Sequence, residues 1–188
     1  MAKKSINTLG ASNHSNKERS ELDYYGTDPK AVEELLRHES FEHDIWEPSS
    51  GHNLIVDVLR SYGYYVRSTD IFDYGCQDEV IDFLNYTKQW SGDIIMNPPY
   101  EEAEHFVEKA LDLVAPHCKV VCFLRLLFLE GQGRYKRLFK DSPPKTIYVF
   151  SKRQVCSKND DFTEGSAVAY CWMVWEKGFV GDPVIKWI

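Results

Sequence analysis

Along the chain the apolar positions switch between a period of about two and one of about 3.6 residues, which predicts alternating strands and helices. A polar stretch over residues 1–20 comes first, and order is expected to begin near Leu22. Val32, Leu35 and Leu36 form the stripe of a helix over about 29–39, with Asp28 ahead of Pro29 as its start signal. A strand over 43–46 follows, then the turn Glu47-Pro48-Ser49-Ser50-Gly51-His52-Asn53 and a helix over about 53–62. Residues 64–69 read as the next strand, ending at Asp70, and Asp93 opens another that runs into Met96. Ala103, Phe106, Val107, Ala110, Leu111 and Val114 share one face of a helix over 101–114, which Pro116 ends. Val120 to Leu124 is the most apolar strand, suited to the interior of a parallel sheet. Two further strands, 146–150 and 168–175, flank a polar stretch over 151–166 that reads as a long loop.

This order predicts one α/β domain over 22–188 behind a flexible segment, 1–21, and 188 residues suffice for a sizeable core. Hydrophobic residues at 43% and charged residues at 27% fit a soluble globular protein. No apolar run approaches the ~18 residues of a membrane span, and no apolar signal segment follows the first lysines, so a cytoplasmic protein without membrane contact is expected. The five cysteines lack metal-ligand spacing, and Cys118 and Cys122 read as apolar fillers at the most buried strand, so no metal site is expected. A formal charge of −7 counts against strong autonomous binding of duplex DNA, though not against one basic face.

The chemistry concentrates at Ile94-Ile95-Met96-Asn97-Pro98-Pro99-Tyr100. An apolar strand end runs into an amide, two prolines and an aromatic. The prolines lack N–H donors and fix their own φ, so the chain leaves the sheet as a stiff bend. Such a bend can hold the Asn97 amide, the Pro98 carbonyl and the Tyr100 ring around a small planar group. Asp70, at the tip of its strand, can accept two hydrogen bonds from a vicinal diol.

Asn97-Pro98-Pro99-Tyr100 resembles the catalytic tetrapeptide of S-adenosylmethionine-dependent methyltransferases that act on planar nitrogen, above all the DNA adenine-N6 methyltransferases. The resemblance implies a three-layer, Rossmann-like class I methyltransferase with a seven-stranded, mostly parallel sheet, ended by an antiparallel hairpin from strands 146–150 and 168–175. It implies S-adenosylmethionine as cofactor, with S-adenosylhomocysteine as product and no metal. Tyr25 and Thr27 resemble the element beside the cofactor's methionine end, with Asp28 inserted before the proline. Glu47, Pro48 and Gly51 match the cofactor loop, where Asn53 replaces the second glycine and His52 the intervening acid. Asn tolerates the left-handed conformation better than most residues, so the loop can survive, with cofactor affinity the property expected to register the change. Asp70, with Ile71 beside it, is implied to hold the ribose. Asp82 and Phe83 are implied to meet the adenine, or else they form a helix start followed by core residues. Asn97 also borders the cofactor.

The stretches 125–137 and 169–175 are similar to phage and prophage members of the adenine group. Arg125 is implied near the mouth of the site. Arg134, Lys136, Arg137 and Lys140 form either a solvated helix face or a face that meets phosphates. The implied reaction is methylation of an adenine N6 amine in DNA, single-stranded or with its base flipped out. No separate target-reading domain is expected, and recognition is then implied to fall to 125–145, to 151–166, to a second subunit or to a partner protein. Alternatives are methylation of a protein glutamine amide, of RNA guanine or of DNA cytosine N4, and a catalytically weak cofactor-binding interaction module.

Overall fold

The computed structural model describes residues 25–41, 44–157, 160–163 and 166–188. The expected flexible segment 1–21, the onset of order near Leu22 and the strand position at His43 lie outside the described residues. A short strand β1 (Gly26–Thr27) leads into helix α1 (Pro29–His38), where the Asp28 carboxylate accepts from the Lys30 amide at 3.0 Å and caps the helix. Strand β2 (Asp44–Glu47), helix α2 (Leu54–Ser61), strand β3 (Tyr65–Asp70) and a short β4 (Glu79–Val80) follow. Next come β5 (Asp93–Met96), α3 (Ala103–Leu113), β6 (Lys119–Arg125) and β7 (Thr146–Val149). The described chain closes with β8 (Cys156–Ser157), β9 (Tyr170–Glu176) and β10 (Val184–Trp187).

The main sheet runs β10-β7-β9-β6-β5-β2-β3-β4. Strands β4, β3, β2, β5 and β6 are mutually parallel, and β9 lies antiparallel between β6 and β7. The antiparallel pair expected from 146–150 and 168–175 is therefore present. The expectation of seven strands is corrected to eight, because β10 pairs in parallel with β7. All four β10 residues are exposed at the sheet edge, so they carry no alternating pattern from which to read a strand.

Alternation on the central strands builds the layers. Ile94 and Met96 of β5 face a core with Phe106, Val107 and Ala110 of α3, whereas Ile95 faces the opposite core with Val32 and Leu35 of α1 and Ile55 and Leu59 of α2. Buried indoles find partners across layers and within the sheet: Trp172 donates to the Ala31 carbonyl of α1 at 2.8 Å, and Trp46 of β2 donates to Thr69 Oγ1 of β3 at 2.9 Å. A Cβ at Gly92 would sit 1.9 Å from the Asp44 carbonyl oxygen, so only glycine lets the chain enter β5 this close to β2. That approach sets the ends of β2 and β5 side by side.

Two other expectations change. The basic helix around 134–140 is one turn of α-helix (Gln132–Arg134) passing into a π-helical turn (Tyr135–Phe139). The loop 151–166 carries β8, which pairs antiparallel with β1 through Gly26↔Ser157 and Thr27↔Cys156. Among the described residues, no helix is long and apolar enough to cross a membrane.

Candidate active site

The C-terminal ends of β2, β3 and β5 open into one cleft, lined among others by Tyr25, Thr27, Glu47, Pro48, Asp70, Ile71, Asp82, Phe83 and all four residues of the tetrapeptide. Sequence elements more than seventy positions apart thus meet where ligands bind in open α/β sheets. Gly51 and Asn53 do not line it; they shape the turn above β2. Gly51 has φ +48° and Asn53 φ +62°, so Asn53 holds the left-handed conformation that the replaced glycine would have supplied. Its amide Nδ2 donates to the Cys76 carbonyl at 2.6 Å.

The turn is closed from the neighbouring strand. Gly51 N donates to Asp70 Oδ2 at 3.0 Å, and Phe72 N donates to Asp70 Oδ1 at 3.1 Å. With a third backbone donor at Ile71, the carboxylate still has lone-pair capacity left for a ligand. Burial pushes the Asp70 pKa up, while these backbone donors oppose the shift. Glu47 is 2% exposed, and burial, followed by the nearby Asp70 charge, holds its carboxyl well above the usual carboxylate range. Its Oε2 has no hydrogen-bond partner, and the same is true of Thr27 Oγ1, Ser50 Oγ, Asn53 Oδ1 and Asn97 Oδ1. Buried polar groups are normally satisfied, and four of these orphans, on Thr27, Glu47, Ser50 and Asn97, line the one cleft, which marks a place built for a polar ligand.

Asp82 and Phe83 fit the helix-start reading and also line the cleft. Asp82 caps a 3₁₀ turn (Phe83–Asn85), accepting from Leu84 N at 3.0 Å and from Asn85 Nδ2 at 2.6 Å. Phe83 packs edge-on against Trp46, with ring centroids 5.2 Å apart.

At the tetrapeptide, both Asn97 N–H groups have acceptors. Nδ2 donates to the Tyr25 carbonyl at 2.7 Å and reaches Cys156 Sγ at 3.6 Å. The Ser49 hydroxyl donates to the Asn97 backbone carbonyl at 3.3 Å, tying the turn after β2 to the bend after β5. The Tyr100 ring lies 5.5 Å from that of Tyr25, and the Arg125 guanidinium sits 4.3 Å from its centroid. The Tyr100 hydroxyl is 3.0 Å from Cys156 Sγ, and burial raises its pKa well above that of a free phenol.

Arg125, the last residue of β6, therefore stands beside Tyr100. Arg134 and Arg137 are both paired within the molecule, although the Arg137 side chain remains exposed. Arg134 donates to the carbonyls of Phe128 and Glu130 at 2.6 and 2.7 Å, and Arg137 forms a two-pronged pair with Glu104 at 2.7 and 3.0 Å. The turn sets Arg134 back onto the backbone just before it and Arg137 onto Glu104 of α3. Sequence reasoning missed Cys156 altogether, because a single cysteine in a polar loop carries no periodic or spacing signal. Ser49 was read only as a turn residue.

No protein-family model and no curated protein matches this chain by sequence. Solved structures match it by shape. A protein of Listeria monocytogenes assigned as a class I S-adenosylmethionine-dependent methyltransferase aligns over 84% of this chain with a TM-score of 0.58 and 13% identity. The fold is that of the Rossmann-like class I methyltransferases. A Thermotoga maritima S-adenosylmethionine-dependent O-methyltransferase aligns over 85% of this chain and 69% of its own length, with a TM-score of 0.55 and 12% identity. The type IIG restriction endonuclease BpuSI aligns over 81% of this chain but 25% of its own, with a TM-score of 0.57 and 12% identity. This chain spans 62% of the Listeria protein. One fold serves acceptors of several chemistries, so the acceptor has to be argued from the site.

Proposed function

We propose that the protein transfers a methyl group from S-adenosylmethionine to the N6 amine of an adenine in DNA. The observation that carries this reading is the Asn97 carboxamide, whose donor end is held by the Tyr25 carbonyl while its buried Oδ1 has no partner. A flipped amide would place two oxygens against each other, so the acceptor orientation is fixed.

The cleft fits the cofactor. Glu47, with an orphaned carboxylate oxygen, suits a cationic amino group, and Asp70 keeps acceptor capacity for ribose hydroxyls. Phe83 and Ile71 supply apolar lining, and Thr27 an unused hydroxyl. When bound, the sulfonium supplies an activated methyl group. An adenine amine is a weak nucleophile because its lone pair is delocalised into the ring. Asn97 Oδ1 and the Pro98 carbonyl would each take one of its N–H groups, favouring a tetrahedral nitrogen with a directed lone pair. The neighbouring Pro99 carbonyl is turned the other way and accepts from Glu102 N at 3.1 Å. Tyr100 supplies a stacking ring, and preorganisation rather than a strong base carries the rate. The base must be unpaired or flipped to reach the bend.

DNA as the acceptor is supported by the Asn-Pro-Pro-Tyr sequence, by Arg125 at the mouth and by the likeness of fold to a restriction endonuclease. A second subunit or partner protein would complete target recognition. A second reading, methylation of a protein glutamine amide, is favoured by the net charge of −7 and by the internal pairing of Arg134 and Arg137. Tritiated-methyl transfer to DNA, RNA and cell protein in parallel, followed by nucleoside and amino-acid analysis, separates the two. N6-methyladenine in DNA is the expected product, and label confined to protein or RNA would overturn the reading.

A further inference from the structure

Cys156 belongs to none of the motifs of the sequence. It sits on β8, the two-residue strand that pairs with β1 and so lies over the bend. Its sulfur stands at the junction of three groups: 3.0 Å from the Tyr100 hydroxyl, 3.6 Å from Asn97 Nδ2 and 3.7 Å from the Tyr25 carbonyl oxygen. The arrangement closes on itself. Asn97 has two N–H donors; one goes to the Tyr25 carbonyl and the other points to the sulfur. The thiol proton has the Tyr25 carbonyl within reach, and the phenol meets the same sulfur. Removing the sulfur would leave one Asn97 N–H without a partner and the Tyr100 hydroxyl with Tyr170 in place of the thiol. The amide would then be held by a single hydrogen bond, about which it can pivot.

We infer that Cys156 is a positioning residue for the tetrapeptide: its thiol, delivered by β8, fixes the Asn97 carboxamide and the Tyr100 ring in the pose that receives the acceptor nitrogen. This rests on the methyltransferase reading above, and goes beyond it by assigning the catalytic pose to a segment outside the cofactor-binding strands. Cys156 touches no reacting atom. It acts through Asn97 and Tyr100, so its loss should appear in turnover and not in cofactor binding. Serine keeps a donor and an acceptor on a shorter bond and should restore part of what alanine loses.

Two measurements on the full chain test this. In the first, Cys156→Ala and Cys156→Ser are compared with wild type for kcat, for KM of the acceptor and for S-adenosylhomocysteine affinity by calorimetry. Cys156→Ala should lower kcat by about tenfold or more, the scale of a small misplacement of reacting groups, with cofactor affinity within about twofold. Cys156→Ser should fall between alanine and wild type. Wild-type kcat in the alanine variant, or serine no better than alanine, overturns the proposal. The second measurement needs no turnover. Alkylation by iodoacetamide, mapped by mass spectrometry, gives the rate at Cys156 separately from the exposed Cys76. Tyr100→Phe removes a hydrogen bond that favours the thiolate and should slow modification of Cys156 several-fold while leaving Cys76 unchanged. An unchanged Cys156 rate overturns the contact, whatever the activity. If the rates respond as stated and wild-type protein labels neither DNA, RNA nor protein, the contact stands. The methyltransferase reading then fails, and the catalytic role of Cys156 with it.

Discussion

Gly51 N donates to Asp70 Oδ2 at 3.0 Å, so the acid at the tip of β3 holds the turn after β2 in its ligand-ready shape. One side chain thereby does two things: it shapes the turn through backbone N–H groups, and it presents its remaining lone pairs to the cleft. Asp70→Ala should weaken S-adenosylhomocysteine binding by about 1–3 kcal/mol, the range for hydrogen bonds to charged groups. Asp70→Asn, which keeps one carboxamide oxygen, should lose less. Calorimetry on folded variants checks this, and an alanine variant with wild-type affinity would remove Asp70 from the cofactor site.

Glu47 should trade stability for binding. Its carboxyl pKa is raised above the ordinary 4.5 by burial and by Asp70, so ionisation is harder in the folded protein than in the unfolded chain. The stability linked to the protonated form is complete below pH 4.5 and is lost as pH rises toward the folded pKa. Glu47→Gln should therefore raise the Tm of ligand-free protein at neutral pH, with the gain shrinking as the pH is lowered through that window. The same variant should bind S-adenosylmethionine more weakly, because a neutral amide cannot pair with an ammonium group. Thermal unfolding across pH, with and without cofactor, reads both effects. A Glu47→Gln protein less stable than wild type at neutral pH would contradict the assignment.

Much of this geometry was legible in the sequence, and the reason is local. Ile94 to Met96, followed by Asn97 and two prolines, reads as a strand end and a rigid bend, and Asp70 stands at the tip of its strand. The left-handed Asn53 followed from the small steric demand of its side chain, and φ is +62°. What stayed hidden depends on contacts between distant segments. Cys156 reaches Asn97 only because β8 pairs with β1, a register that no pattern in residues 151–166 announces. The edge strand β10 has no buried face to create alternation. The partners of Arg134 and Arg137 depend on a π-turn whose residues look like any basic helix.

Those arginines make a stability test. Arg134 supplies donors to two backbone carbonyls and lies 4.0 Å from the centroid of the Phe128 ring. Arg134→Ala should destabilise by about 1–3 kcal/mol in denaturant unfolding. Arg137→Ala, whose side chain is 62% exposed beside Glu104, should have a markedly smaller effect. An equal loss for both would mean that the carbonyl contacts of Arg134 do not hold the turn. If both arginines serve the fold, neither substitution should change the salt slope of any DNA binding.

Asn97 gives the sharpest test of mechanism. If its Oδ1 takes an amine proton as the nitrogen becomes tetrahedral, Asn97→Ala should lower turnover by roughly a hundredfold or more, the scale for a lost preorganised transition-state contact. Cofactor affinity should stay nearly intact. Asn97→Asp is the finer case, because the structure sets two effects against each other. The carboxylate keeps an acceptor toward the cleft, and its charge suits the developing positive nitrogen. It also loses both N–H groups and sets an oxygen against the Tyr25 carbonyl, where Nδ2 now donates at 2.7 Å. Asp should therefore retain more activity than Ala yet fall below Asn. It should also gain activity as pH rises through the titration of that carboxyl, a dependence that wild type lacks at this position. Single-turnover methylation of a DNA oligonucleotide across pH measures all three variants. Asn97→Ala turning over like wild type would exclude the proposed role of the amide, and Asn97→Asp falling to the level of Ala would show that orientation by Tyr25 outweighs the acceptor itself.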